Sequence, residues 1–275
     1  MAYTKLIPRH TSDARVEVIS GDTSHYRLSL PAGKSDKYRL AQLDDYAQLG
    51  RANFPLRSPL ALSLSARMSS DSIPGTWGVG LWNDPFGLSL GFGGNPFRLP
   101  VLPNAAWFFG ASKENYLSFK ESGDAAANGW IVQAFRSPRF HPRLIPAGLA
   151  LPFSRKTTRR FLANVIEEAG LQLWNPLARR PDRELAPGLH NVDPTQWHRY
   201  RLDWREKQVL FGVDNEVVFE SSVSPHSPLG LVIWIDNQYA AFTPEGKIGF
   251  GVLENPEPAW LEIKDLEITS AASSA

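Results

Sequence analysis

Two short stretches of the sequence combine tryptophan with carboxylate and amide side chains at alternating positions. In Gly230–Gln238, the residues Trp234, Asp236 and Gln238 fall on one face of a predicted strand, with Asn237 next to them and leucine and isoleucine opposite. A flat apolar surface beside oriented polar groups is typical of a ligand site. The same pattern also fits a core tryptophan and an aspartate that caps a turn or binds a structural cation.

The second stretch, Trp77–Pro85, places Trp82 and Asp84 on one face of a predicted strand. Gly78 and Gly80 share that face and would leave room for a ligand to approach the backbone. The alternative is a tryptophan packed over the two glycines, followed by an ordinary turn. Each stretch therefore supplies one candidate carboxylate and one candidate aromatic surface.

A third strand, Ala105–Ala111, would add Trp107 and Phe109 to the same aromatic surface. Phe108 alternates with them, so the sequence does not decide which side of this strand faces a ligand. Asp84 and Asp236 are the candidate catalytic residues, as proton donor or acceptor. Whether they form an acid pair depends on a separation between two strands that the sequence does not give.

Other catalytic and metal-binding patterns are absent or lack their structural context. Residues 87–91 (GLSLG) match the G-x-S-x-G nucleophile motif, but the glycine- and proline-containing run after them is a poor helix start. The chain has no cysteine, no phosphate-binding glycine loop and no histidine pair at helical spacing. We therefore predict no cofactor and no metal, and leave calcium bound by loop carboxylates open.

The elements that carry these residues are predicted to be short β-strands. Leu60, Leu62, Leu64 and Ala66 alternate with more polar residues, as in a half-buried strand, and similar runs recur along the chain. Asp-Asn at positions 214 and 215 predicts a hairpin turn. The fold class is therefore all-β, a two-sheet antiparallel jelly-roll sandwich with one helical insertion.

The C-terminal third carries a resemblance to a known fold family. Residues 197–220 (WHRYRLDWREKQVLFGVDNEVVFE) resemble a hairpin of concanavalin A-like jelly rolls, especially family 16 glycoside hydrolases and laminin-G-type domains. Trp260–Ile268 is similar to their closing strand, and Gly75–Leu81 to a tryptophan-bearing strand. The resemblance implies two stacked antiparallel sheets with a ligand on the concave face.

The catalytic strand of that family has no counterpart here. Family 16 enzymes carry E-x-D-x-x-E, in which the two glutamates act as nucleophile and acid/base. The corresponding strand in this chain, Ala105–Ala111, contains no carboxylate. Because function resides in the site and not in the fold, the resemblance does not bring the hydrolase activity with it.

A basic segment interrupts the predicted sandwich. The single domain 1–268 is divided by residues 137–190, and 269–275 form a frayed tail. Residues 136–183 hold ten Lys or Arg against three Asp or Glu, and Arg155–Leu171 has helical spacing of apolar residues. Residues 144–171 are interpreted as a solvated surface helix, as an apolar lid over the cleft, or as a contact with an anionic membrane, in that order of preference.

Composition and termini limit the location and the partners. The formal net charge of +1 gives no reason to expect nucleic-acid binding. The first residues contain no apolar run of the secretory type, so we predict a cytoplasmic protein.

Three functions are consistent with these residues. The leading hypothesis is a protein that binds a largely apolar small molecule in an aromatic concave cleft, with cyclase or isomerase chemistry at a single acid. The first alternative is a carbohydrate-binding protein or divergent glycoside hydrolase, and the second is a non-catalytic interaction domain. The sequence gives no oligomeric state.

Overall fold

The structure, a computed structural model, describes residues 5–19, 24–85, 101–116, 118, 129–138, 164–174, 192–242 and 248–270. These residues form two seven-stranded antiparallel sheets and one short hairpin. The predicted all-β, two-sheet sandwich is therefore confirmed. Within the described ranges, no helical segment has the length and apolar character needed to cross a bilayer.

Sheet A contains, in spatial order, β1 (Ile7–His10), β4 (Leu40–Asp44), β13 (Gly230–Asp236), β6 (Thr76–Trp82), β7 (Ala105–Ala111), β8 (Gly129–Arg136) and β9 (Glu167–Trp174). Sheet B contains β12 (Glu216–Ser221), β11 (Gln208–Val213), β10 (His198–Arg205), β5 (Leu60–Met68), β16 (Ala259–Ser270), β3 (Tyr26–Leu30) and β2 (Arg15–Val18). The hairpin pairs β14 (Gln238–Phe242) with β15 (Ile248–Val252), and a 3-10 turn covers Arg51–Asn53.

The space between the sheets is filled by alternate residues of each strand, as the period-2 patterns predict. Leu231, Ile233 and Ile235 of β13 point inward, as predicted, and meet the inward side chains of sheet B. Phe108 packs against Tyr200, with ring centroids 4.9 Å apart. This contact shows that the inward residue of β7 is Phe108, and it resolves the orientation that the sequence left undecided.

The predicted hairpin turn is confirmed. Asp214 and Asn215 have φ values of 50° and 73°, the left-handed pair that a tight two-residue hairpin requires. The Asp214 side chain accepts hydrogen bonds from the amide of Arg199 at 2.8 Å and contacts the ring of His198. The turn residues are therefore held by the neighbouring strand as well as by their own backbone preference.

In its described part, the predicted helix Arg155–Leu171 is helical at residues 164 and 165 and is wrong from residue 167 onward. Residues 167–171 belong to β9, which pairs with β8 at the edge of sheet A. Leu171 and Leu173 face the inter-sheet core, so the apolar residues of this segment follow a strand period here. Residues 139–163, with most of the proposed lid, and the G-x-S-x-G match at 87–91 lie outside the described residues.

Within the predicted insertion 137–190, the described strand Glu167–Trp174 is part of the sandwich, because it forms an edge strand of sheet A. The predicted tail also begins later than expected. Thr269 and Ser270 continue β16 and pair with Ala61 and Leu60.

Glycines of β6 allow the large side chains of both neighbouring strands to pack against it. A Cβ at Gly78 would lie 2.7 Å from the ring of Trp234, and one at Gly80 would lie 2.4 Å from Cβ of Trp107. The room that the glycines were predicted to leave for a ligand is therefore occupied by these two indoles, as in the alternative interpretation. The rings are thereby set close to the backbone of β6.

We predict that Gly80→Ala destabilises the fold by about 1–3 kcal/mol, because the added methyl also meets the carbonyl oxygen of Ala106 at 2.4 Å and cannot be relieved by a rotamer change. Urea unfolding measures the loss. Gly50→Ala is the matched control, since nothing lies within 4 Å of its Cβ and its φ of −68° suits alanine. Equal stability of the Gly80 variant and the parent would contradict this packing.

Candidate functional site

The face of sheet A that points away from sheet B carries most of the predicted site residues. We call this the outer face. Trp234 of β13, Trp82 of β6 and Trp107 and Phe109 of β7 all lie on it, in one hydrophobic cluster separate from the inter-sheet core. The prediction that these four aromatic residues share a surface is thus supported by their placement. We refer to them as the outer aromatic cluster.

The cluster is built around two parallel indoles. The rings of Trp82 and Trp234 stack with centroids 6.1 Å apart and an interplanar angle of 4°. Trp107 lies obliquely to both, with centroids 6.1 Å from Trp82 and 5.9 Å from Trp234, and stacks with Phe109 at 5.4 Å. The four rings are therefore fixed mutually, with little freedom to rotate.

The four rings differ in exposure. Trp234, Trp107 and Phe109 are 6%, 4% and 3% exposed. Trp82 is only half-buried. Because three members bury one another, Trp82 is the member of the cluster that a ligand can reach.

Hydrogen bonds fix the buried indoles. Nε1 of Trp234 donates to Oγ1 of Thr76 at 3.0 Å, and Nε1 of Trp107 donates to Oε1 of Gln133 at 3.3 Å. Gln133 is 1% exposed on the outer face of β8. A buried donor without a partner costs free energy, so these polar residues are part of the aromatic arrangement.

Asp236 lies at one end of the cluster in a network of hydrogen bonds. Its Oδ1 accepts from the Thr76 hydroxyl at 2.8 Å and from the amides of Thr76 and Gln238 at 3.2 Å. Oδ2 contacts the hydroxyl of Tyr38 at 3.3 Å. Burial raises the pKa of Asp236 from 3.8 to about 6, although these hydrogen bonds act to lower it.

Tyr38 shares this end of the site. It is half-buried, and burial together with the adjacent charge of Asp236 raises the pKa of its phenol well above 10.0. The phenol therefore stays protonated and acts as a hydrogen-bond donor.

A second polar group lies at the other end of the cluster, around β4. Nε2 of Gln42 donates to Oδ2 of Asp44 at 2.8 Å and to the hydroxyl of Tyr46 at 3.3 Å. Arg9 of β1 approaches Asp44 at 3.6 Å. Burial raises the pKa of Tyr46 well above 10.0, and the nearby carboxylates of Asp84 and Asp44 raise it further.

The two predicted catalytic carboxylates do not come together. In the β6–β13 pairing, Trp82 lies opposite Gly230 and Asp236 opposite Thr76. At about 3.3 Å per residue, the Trp82 end of β6, which Asp84 follows, is roughly 20 Å from Asp236. Retaining hydrolysis needs carboxyl groups about 5 Å apart. Asp84 instead lies beside Tyr46, and its carbonyl oxygen accepts a hydrogen bond from Arg51.

The amide residues after Asp236 serve different purposes. Asn237 is fully buried, and its side chain bonds the amide of Arg39 at 2.8 Å and the carbonyls of Leu253 and Lys37 at 2.9 and 3.1 Å. These bonds join three loops and leave no amide group for a ligand. Gln238 begins β14 and is half-buried next to Asp236.

The residues around β4 were missed by sequence reasoning. Leu40–Asp44 is buried at every position, so it shows no alternation of apolar and polar residues. Gln42, Asp44 and Tyr46 therefore gave no signal beyond their residue types. Among the described residues, no three His, Asp or Glu side chains gather into a metal-binding group.

Comparisons with solved structures return matches of low sequence identity. A legume lectin-like domain from Entamoeba histolytica matches with 8% identity and a TM-score of 0.46, over 97% of this chain and 90% of that one. A glycoside hydrolase family 16 endo-glucanase from Bacteroides ovatus matches with 11% identity and a TM-score of 0.48, over 98% and 96%.

A protein named sialidase matches with 8% identity and a TM-score of 0.43, over 97% of this chain, which spans 17% of that protein. No protein-family model and no curated protein matches the sequence. The activities in those names belong to those proteins.

The raised pKa of Asp236 predicts a pH-dependent stability. A carboxyl group whose folded pKa exceeds its unfolded value contributes stability that is complete below about pH 4 and is lost as pH rises through about 6. We expect the free energy of unfolding of Asp236→Asn, relative to the parent, to rise by on the order of 3 kcal/mol between pH 4 and pH 7. Urea unfolding at both pH values measures this difference.

The exposed Asp265→Asn serves as a control for the loss of one carboxylate, and its stability relative to the parent should change little over the same range. A flat difference for Asp236→Asn between the two pH values would show that Asp236 is ionised throughout, and would contradict the effect of burial.

Proposed function

We propose that the protein binds carbohydrate on the outer face of sheet A, with Trp82 as the stacking surface. The observation that carries the proposal is the parallel stack of half-buried Trp82 on buried Trp234. A pyranose ring presents apolar C–H groups on its faces and hydroxyls at its rim. A fixed indole face therefore suits the former, and adjacent carboxylate, amide and phenol groups suit the latter.

The polar groups lie where such hydroxyls would be. Asp44 is opposite Val232 on β13, and Asp236 ends the same strand, so the two polar groups are about 13 Å apart along it. Trp234 lies between them along the strand, and Trp82 lies beyond Asp44, opposite Gly230. This distribution favours an elongated, polyhydroxylated ligand over a wholly apolar one.

The apolar-ligand hypothesis, with cyclase or isomerase chemistry, has less support from the described residues. It requires aromatic walls around an open cavity, whereas Trp234, Trp107 and Phe109 fill that face by packing on one another. The separation of Asp84 from Asp236 also gives no basis for double-displacement hydrolysis by this pair. We therefore propose binding, and the glucanase and lectin-like names among the matched structures agree with it without carrying it.

We expect Trp82→Ala to weaken glycan binding by about 30-fold, since loss of a central aromatic contact costs about 2 kcal/mol or more. A glycan array with neutral and uronate-containing oligosaccharides identifies the ligand, and titration calorimetry with the best binder gives the affinities. Trp260→Ala is the matched control. This half-buried indole lies on sheet B, 5.2 Å from the guanidinium of Arg27, and its removal should leave binding unchanged.

Two outcomes would overturn the proposal. One is an array with no binder. The other is a binder whose affinity falls equally in both tryptophan variants, because this would place the ligand away from Trp82.

A further inference from the structure

A pocket of about 620 Å³ opens at the end of the sandwich where the β5–β6 and β15–β16 connections meet the end of β7 and the start of β8. This volume is within the usual range for pockets that bind small molecules. The pocket meets Trp77 and Trp130 from the side of sheet A that faces sheet B, and its lining includes none of the four residues of the outer aromatic cluster. It is therefore separate from the outer aromatic cluster and does not rest on the proposed function.

The inner wall of the pocket is apolar and rigid. Trp77 of β6 and Trp130 of β8 line it, and their rings stack with centroids 4.0 Å apart and an interplanar angle of 11°. They are 5% and 2% exposed, so only a small part of each ring reaches the pocket. Ile73, Pro74 and Leu253 complete this wall. Such a surface suits the flat apolar part of a ligand.

The remaining wall is acidic. Among the described lining residues, Asp71, Glu114 and Glu254 are acidic and Lys113 is basic, which gives a formal charge of −2. Oδ2 of Asp71 accepts a hydrogen bond from Nε1 of Trp174 at 3.4 Å. Within the part of the chain that the structure describes, Glu114 and Glu254 form no ion pair. Their charge is therefore available to a ligand.

We infer that this pocket binds an organic cation, namely an amine carried on an apolar ring. The ring would lie against Trp77 and Trp130, and the ammonium group would lie between Glu114 and Glu254 at the more exposed side. A buried ring supplies contact area, while two carboxylates favour a positive charge over a neutral or negative one. Charge complementarity thus decides the class of ligand.

Three indoles of matched size test this inference: tryptamine, indole-3-ethanol and indole-3-propionate, which are cationic, neutral and anionic at pH 7. Backbone amide NMR of the full chain measures their affinities and locates them. We expect tryptamine to bind about tenfold more tightly than indole-3-ethanol, and indole-3-propionate to bind more weakly still. The shifts should centre on Ala111, Gly129 and Leu253.

Glu114→Gln and Glu254→Gln, singly and together, should reduce the preference for tryptamine towards equality. Glu206→Gln, in the turn between β10 and β11, is the control and should retain the preference. Trp82→Ala should also retain it, so that a failure of carbohydrate binding and a failure of this inference are distinguishable. Equal affinities for the three indoles, no binding below about 10 mM, or shifts confined to the outer face would each overturn the inference.

Discussion

The structure depends on the fact that the central strands of sheet A are buried on both faces. Every residue of β13 and β7 is buried, so each strand must supply apolar side chains to the inter-sheet core and to the outer face alike. Large side chains of β13 and β7 can pack together on the outer face only if the strand between them carries small residues there. β6 does so at Gly78 and Gly80, over which Trp234 and Trp107 lie. The position of the outer aromatic cluster follows from this arrangement.

Burial has opposite consequences for carboxylates in different parts of the sandwich. Asp236 has only neutral hydrogen-bond donors, and its pKa rises to about 6. Asp45 also lacks a cation: burial raises its pKa to about 7, although Oδ1 accepts from the amide of Leu231 at 2.8 Å. Glu262 on sheet B is buried as well, but Arg67 and Arg27 outweigh that burial and lower its pKa. Asp236 and Asp45 are therefore protonatable groups, whereas Glu262 on sheet B is held in ion pairs.

Much of the fold could be predicted because alternation is a local property. The strand Ala105–Ala111, the turn at Asp214 and Asn215 and the two faces of β13 all followed from the sequence. β4 could not be found, because the five residues Leu40–Asp44 (LAQLD) neither alternate between apolar and polar nor form a continuous apolar run. β9 was read as a helix, because a few apolar residues near one another fit either period until a pairing partner is known.

The candidate site was predictable in its aromatic half and not in its polar half. That Trp82 and Trp234 share a face follows from the alternation of side chains along each strand, once both residues are placed in strands. The distance between Asp84 and Asp236 depends on the register between β6 and β13, which no single strand encodes. Tyr38 reaches Asp236 from a loop distant in sequence, so it carried no signal. Asn237 has a side chain of a type that can bind a ligand, but it is buried and its hydrogen bonds go to the surrounding loops.

The first two residues of β6 connect the two proposed sites. Thr76 points to the outer face, where it accepts from Trp234 and donates to Asp236. Trp77, the next residue, points to the other side and lines the end pocket. Neighbouring strand residues cannot shift independently, because both are fixed by the ladders to β13 and β7. Thr76 and Trp77 are therefore held as one unit, so the stretch of backbone that positions the hydroxyl bonded to Asp236 also positions a wall of the end pocket.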